Sequence, residues 1–202
     1  MNHGRKQRGP QGPILLFLPL LLFLTSCGVQ SIPRAQNEVE AKWAEVINQY
    51  KRRADLVPNL VKAVKAYASH EKETLKQVTE ARSRAYQSLV KFENLNTKKL
   101  QKLQQAQQGL AQSLSRLMMV SERYPDLKAG QNFRDLQTQL EGTENRIAVA
   151  RNRYIEAVKE YNNQVTVPPT SWTNSLFYHY DKKPQFSVDN VQDMKKAPEV
   201  NL

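Results

Sequence analysis

The chain has 202 residues, with 30 Lys and Arg against 19 Asp and Glu, a net charge of +11 at pH 7. This length allows one domain plus an export signal, and the single cysteine excludes an intramolecular disulfide. The seven glycines form no phosphate-cradling loop or dinucleotide fingerprint, and no Gly-x-Ser-x-Gly is present. The composition therefore predicts a protein without a cofactor and without a recognisable catalytic motif.

Residues 1–26 are typical of a secretory leader. Arg5, Lys6 and Arg8 supply the positive start, and an apolar run extends from Ile14 to Leu24. A membrane-spanning helix needs about 20 apolar residues, and this run is about half as long. We therefore interpret it as the apolar part of a signal peptide and not as a transmembrane anchor.

The apolar run ends in Leu24-Thr25-Ser26-Cys27-Gly28. This segment resembles the lipobox of bacterial lipoproteins, with the only cysteine at the acceptor position. The resemblance implies cleavage before Cys27, a diacylglycerol thioether on Cys27 and N-acylation, for example by palmitate. Two or three acyl chains hold a protein stably on a membrane, since each buried methylene contributes about 0.8 kcal/mol. The alternative is an ordinary signal peptide with a stray cysteine. Gly28, in place of an aspartate, favours the outer membrane in a Gram-negative bacterium.

The predicted mature chain stays basic. Of the 30 Lys and Arg, three lie in the leader, so 27 remain against 19 Asp and Glu, a net charge of +8. Outside the cytoplasm the available polyanions are lipid headgroups and cell-wall or outer-leaflet polymers, and we expect no nucleic acid as a partner. The alternative is a solvated helical surface with excess lysine.

Residues 27–35 read as a short lipidated tether containing Pro33, and residues 36–167 read as a helical domain. Apolar residues recur there every three or four positions, which places them on one helix face. The first stripe comprises Val39, Trp43, Val46, Tyr50, Ala54 and Val57. Pro58 interrupts it, and a proline inside a helix costs about 3 kcal/mol. The chain is expected either to kink at Pro58 or to begin a separate helix there, and we favour four helical segments.

Three further stripes follow Pro58. The second runs from Leu60 to Phe92, the third from Leu100 to Leu117 with Gln107 at one seam position, and the fourth from Phe133 to Val165. Helices of about 30 residues are about 45 Å long and, when joined by short turns, pack antiparallel. The sequence therefore predicts an all-α fold, an elongated antiparallel helical bundle.

Residues 168–202 form a tail of different composition. Prolines punctuate a cluster of large apolar and aromatic residues, which comprises Trp172, Leu176, Phe177, Tyr178 and Tyr180. One interpretation is that this cluster packs back on the end of the bundle. The other is a membrane-facing or partner-docking patch, since an exposed apolar patch needs a partner.

Several segments resemble the LemA family. They are Trp43-Ala44-Glu45-Val46, Lys51 to Val61, Val64 to Glu71, Ala81-Arg82, Glu122 to Ala129, Phe133 to Gln137, and Glu144 to Arg151. The resemblance runs from about Asn37 to the proline pair 168–169. It implies an extended antiparallel helical bundle held at a bacterial membrane, without an established catalytic activity. Members commonly carry an N-terminal transmembrane helix, which a lipid on Cys27 would replace here.

Two charged residues and Pro58 are the structural candidates of the helical domain. Arg151 falls on the fourth stripe, and a buried arginine requires a carboxylate partner. Asp55 beside the predicted break, or Glu71, is the expected partner, and the pair would fix helix register. The alternative is that Arg151 reaches solvent from the edge of the stripe.

Metal binding is not expected, because His70 and His179 lie in no metal-ligand spacing, and His70 with Glu71 and Glu73 reads as a solvated face. The sequence predicts a non-enzymatic, membrane-anchored lipoprotein of the bacterial cell envelope, a scaffold or adaptor for an envelope protein or an anionic polymer. The alternative is an accessory or regulatory subunit of a membrane protease or signalling system that acts through its C-terminal tail.

Overall fold

The computed structural model describes residues 14–186, with side chains for residues 30–186. In this range the helices are α1 (Ile14–Tyr67), α2 (Lys72–Gln87), α3 (Thr97–Ser121), α4 (Pro125–Ala129), α5 (Gln131–Thr166) and α6 (Thr170–Thr173). A 3-10 turn, Phe92–Asn94, lies between α2 and α3, and a π-helical turn, Asn174–Tyr178, follows α6. The described residues contain no strand, which confirms the predicted all-α class.

Helices α1 and α5 form the long antiparallel pair around which the bundle is built. The Trp43 ring lies 5.1 Å from the Tyr154 ring, and further along α1 Arg53 contacts Glu144, which is earlier in α5. Helices α2 and α3 form a hairpin that packs on this pair. Asn96 begins α3, because its side-chain oxygen accepts a hydrogen bond from the Lys99 backbone N–H at 2.9 Å.

Helix α1 passes through Pro58 without interruption, so the alternative of a separate helix that begins there is wrong. A proline has no N–H, so the Ala54 carbonyl loses its partner within the helix. Arg82 on α2 replaces that partner, and its Nε donates to the Ala54 oxygen at 2.8 Å. The chain turns instead between Tyr67 and Lys72, so the predicted second stripe spans the end of α1 and all of α2.

The core has two apolar clusters. The distal cluster lies where all four long helices pack, and it includes Val57, Leu60, Val64, Val78, Leu110, Leu117, Phe133 and Leu140. The proximal cluster lies toward the N-terminal end of α1, and it includes Ile32, Trp43, Tyr50, Leu103, Tyr154, Tyr161 and Phe186. Polar residues separate the two clusters along α1, α3 and α5, and they are described below.

Residues on both sides of the predicted bundle, 36–167, also pack on its core. Helix α1 includes residues 27–35, which were expected to form a tether, and Ile32 is fully buried. Phe186, in the predicted tail, is also buried. The bundle therefore includes the segment that follows Cys27 and part of the tail.

Candidate functional site

A buried polar layer separates the two apolar clusters, and Arg53 is at its centre. The Arg53 residue is 3% exposed. Its Nη1 donates to both carboxylate oxygens of Glu144 at 2.9 Å, and its Nη2 donates to the backbone and side-chain oxygens of Gln107. The guanidinium also lies 5.5 Å from the centre of the Tyr50 ring. This side chain of α1 therefore contacts both α3 and α5.

The layer is connected to the fourth long helix as well. Gln107, itself 4% exposed, donates from its Nε2 to the Ala85 carbonyl on α2 at 3.3 Å. The Glu144 side chain stays 43% exposed, so its carboxylate keeps part of its hydration while it neutralises the buried guanidinium. Because buried polar groups must find specific partners, this layer selects one alignment of the four helices over alternatives shifted by a turn.

The predicted partners of Arg151 are wrong. Arg151 is half-buried, and its guanidinium lies 4.6 Å from the centre of the Phe186 ring. Asp55 is exposed, and Glu71 accepts hydrogen bonds from Arg123 at 2.9 Å and from the Tyr124 hydroxyl at 3.3 Å. The buried arginine that pairs with a carboxylate on another helix is Arg53.

The sequence did contain a signal for Arg53. It lies three residues after Tyr50 and four before Val57, both of which are buried members of the first stripe. Its neighbours Lys51 and Arg52 are exposed, so the run of three cations resembled a solvated face. Spacing was therefore the better guide than local composition.

A second feature is the clasp, residues 180–186, which runs back along α5. The Tyr161 hydroxyl donates to the Asp181 carbonyl at 3.2 Å, and the Tyr154 hydroxyl donates to the Pro184 carbonyl at 2.8 Å. Between them the Asn162 side chain exchanges two hydrogen bonds with the Lys183 backbone, at 3.1 and 2.8 Å. This part of the tail packs on the bundle, as the first of the two interpretations expected.

The clasp completes an aromatic cluster. The Phe186 ring lies 6.1 Å from Trp43 and 5.4 Å from Tyr154, and the Trp43 indole N–H donates to the Val90 carbonyl at 2.9 Å. Burial raises the pKa of Tyr154, and it raises the pKa of Tyr161 to about 12, with Tyr180 and Asp181 acting in the same direction. Both hydroxyls therefore remain protonated donors to the clasp near neutral pH.

The rest of the tail leaves three large side chains in solvent. We call Trp172, Leu176 and Phe177 the end patch, and they are 64%, 72% and 69% exposed. Asn174, which is 8% exposed, holds this turn, because its Nδ2 donates to the Tyr180 carbonyl at 3.1 Å and its Oδ1 accepts from the Tyr180 N–H at 2.9 Å. These three members of the predicted aromatic cluster are therefore exposed and do not pack back on the bundle.

The remaining sequence candidates lie as follows. Position 27 is within α1, five residues before Ile32, and the Cys27 side chain lies outside the described side chains. Pro58 is exposed on α1. Among residues 30–186, no group of three His, Cys, Asp or Glu side chains is arranged to hold a metal ion. In the same residues, no helix combines the length and the apolarity that a membrane crossing requires.

The fold defines an all-α bundle, in which a long antiparallel helix pair carries a shorter helical hairpin and a C-terminal clasp. The LemA family model matches residues 42–202, and the chain belongs to the LemA family. It is 24% identical to a protein LemA of Metamycoplasma hominis over 174 residues, which are 82% of this chain and 74% of that protein.

Two shorter matches are to magnetosome proteins MamQ 1 and MamQ 2 of Paramagnetospirillum magneticum. Each is 34% identical over 64 residues, which are 32% of this chain and 24% of the relative. Because this chain spans about a quarter of their length, these matches are confined to one segment, and the longer match to protein LemA carries the comparison.

Proposed function

We propose that this LemA family member is a membrane-anchored envelope lipoprotein. Acyl chains on Cys27 hold it on the membrane, and its helical bundle serves as a non-enzymatic scaffold or adaptor. Its partners are an envelope protein or an anionic polymer. The net charge of +8 that remains without the leader supports the choice of an anionic surface among these partners.

The observation that carries this proposal is the continuity of α1. The helix begins in the apolar leader, includes position 27 and continues to Tyr67 without a break. Five residues separate position 27 from Ile32, the first buried residue of the proximal cluster, so a lipid on Cys27 would lie about 7.5 Å along the helix axis from the core. Such an anchor fixes the direction of the bundle, as a scaffold requires.

The interior of the bundle supports a structural role for its polar groups. Arg53 and Gln107 direct their donors to partners on other helices, and Tyr154 and Tyr161 direct theirs to the clasp. The Nη atoms of Arg53, Nε2 of Gln107 and the two tyrosine hydroxyls thus bond within the fold. A scaffold would therefore recognise its partners with surface residues.

Lipidation is tested by intact-mass measurement of the mature protein from cell membranes, with and without globomycin. We expect an N-terminal acylated Cys27 and accumulation of the precursor under globomycin. Cys27→Ser should abolish the acyl mass and the precursor's sensitivity to globomycin, and Ser26→Ala, which keeps a small residue before the cysteine, should leave both unchanged. A mature protein without acyl mass whose processing ignores globomycin would overturn the proposal.

The scaffold role is tested by crosslinking in intact cells followed by purification of the chain. We expect a defined set of envelope partners with the wild type and their loss with Cys27→Ser, because the bundle would no longer be held at the membrane. An unchanged set of partners for the unanchored protein would contradict a scaffold that works from the membrane.

A further inference from the structure

We propose that the end patch inserts into the lipid headgroup region of the membrane that carries the anchor. The end patch is then a second, non-covalent membrane contact, formed by Trp172, Leu176 and Phe177. This inference rests on the proposed lipid anchoring, because the anchor brings the patch to a membrane.

The patch lies at the anchored end of the molecule. Its turn directly follows the end of α5, and α6 packs against both α1 and α5. The same end is marked by a groove between α1 and α5, whose lining includes Gln30 and Arg34 from α1 and Glu160 and Gln164 from α5. The C-terminus of α5 therefore lies beside the residues of α1 that follow position 27.

Among residues 30–186, the exposed large hydrophobic side chains are concentrated at this end. In residues 30–186, the large hydrophobic residues that are exposed include Val167, Trp172, Leu176 and Phe177, which fall within eleven consecutive positions. The others are distributed singly over the helices, and these are Tyr67, Tyr86, Met119 and Val149. Single exposed residues are ordinary on a protein surface, whereas a contiguous group marks an interaction site.

The chemistry of the patch favours lipid as its occupant. Tryptophan is enriched at the membrane–water interface, where its ring lies at the level of the headgroups. Leucine and phenylalanine side chains beside it transfer favourably from water into the acyl boundary. A membrane is also the one surface that an acylated Cys27 would place next to this turn.

The turn is organised before it meets a membrane. The Asn174 side chain holds both ends of the turn, through hydrogen bonds to the Val165 carbonyl and to the Tyr180 backbone. The clasp continues from Tyr180 along α5. The left-handed backbone of His179, with φ of 55°, reverses the chain between the patch and the clasp. Because the backbone is already fixed, insertion orders only side chains.

Trp172 provides a direct test. The mature acylated protein is reconstituted into vesicles of phosphatidylethanolamine and phosphatidylglycerol that contain doxyl-labelled lipids. We expect a shallow doxyl label to quench the Trp172 fluorescence more than a deep one. The second tryptophan, Trp43, is 2% exposed in the proximal cluster, and the Trp172→Phe variant measures its unquenched background. Leu176→Ser with Phe177→Ser should reduce the quenching of Trp172, whereas Met119→Ser, exposed on α3, should not.

Flotation of the same vesicles separates the two proposals. If the protein floats and Trp172 is not quenched, the membrane contact is overturned while the lipid anchor stands. The occupant of the patch would then be a membrane protein, as in the accessory-subunit alternative. If the acylated protein fails to float, both proposals fail. Circular dichroism of each variant shows whether the bundle has remained folded.

Discussion

Removal of the Arg82 side chain should destabilise the bundle because it leaves the Ala54 carbonyl without a partner. Pro58 cannot bond that carbonyl, Arg82 Nε donates to it at 2.8 Å, and Ala54 is 1% exposed, so water has little access. A hydrogen bond from a charged group contributes about 1.5–3 kcal/mol, and we expect Arg82→Met to cost about 2 kcal/mol. For a domain of this size that lowers Tm by roughly 4–8 °C.

The same substitution should cost less when Pro58 is replaced. In Pro58→Ala the new N–H bonds the Ala54 carbonyl within the helix, so we expect Arg82→Met to cost about 0.5 kcal/mol there. The difference between the costs of Arg82→Met in the two backgrounds is a coupling energy of roughly 1–2 kcal/mol. Two independent sites would give a coupling energy near zero. It is measured by urea unfolding of the four proteins, followed by circular dichroism.

Arg84 supplies the control. Arg84→Met removes a positive charge from the same helix as Arg82→Met does. The Arg84 side chain, however, is 65% exposed, and its ion pair with Glu80 spans 3.9 Å. Arg84→Met should change stability by less than about 0.5 kcal/mol in both backgrounds. Equal costs of Arg82→Met with and without Pro58 would refute the explanation of how α1 continues through the proline.

Three further predictions concern the polar layer and the clasp. A double-mutant cycle of Arg53→Met and Glu144→Gln should give a coupling energy of about 1.5–3 kcal/mol in urea unfolding, because the guanidinium is buried. The Arg153–Glu45 pair, which also joins α1 and α5 but is 57% and 38% exposed, should give under about 1 kcal/mol, and equal values would contradict the role of burial. Tyr154→Phe removes the donor to the Pro184 carbonyl, so trypsin should cut faster after Lys182, whereas Tyr86→Phe, at a residue of α2 that is 44% exposed, should leave the rate unchanged. Stability should fall as pH rises from about 10 to about 12, because unfolded tyrosine ionises near 10.0 while the pKa of folded Tyr161 is about 12, and Tyr161→Phe should flatten that part of a pH-dependent unfolding curve.

The burial pattern of α3 and α5 followed from sequence periodicity. The third and fourth stripes predict inward residues from Leu100 to Leu117 and from Phe133 to Val165, and these are buried apart from Arg151, which is half-buried beside buried Ala150. Even Gln107 was placed on the seam, where it is 4% exposed. Periodicity succeeds here because each helix buries one narrow face along its whole length.

The break between α1 and α2 could not be found in the same way. Ala68 and Leu75, both buried, are seven residues apart, which is two helical turns, so the stripe continues in register across the chain reversal. Pro58 gave the stronger local signal for a break. Its effect is cancelled by Arg82, a contact between residues distant in sequence that a local pattern does not contain.

The pairing of charged residues was equally inaccessible. Arg53 and Glu144 are 91 residues apart, and the choice between Arg53 and Arg151 as the buried cation depends on how α1 and α5 face each other. The position of Phe186 was also not predictable from the sequence. Its ring lies over the Arg151 guanidinium, where a carboxylate was expected. Lipidation of Cys27 stays a prediction.

The unbroken helix also determines how far the protein reaches. Between positions 27 and 67, at about 1.5 Å per residue, α1 rises about 60 Å. If the lower end is held by acyl chains on Cys27, the reversal between α1 and α2 stands at that height whenever the rod is upright. A partner that meets this tip must project an equally tall domain, whereas one confined to the headgroup layer can touch only the base.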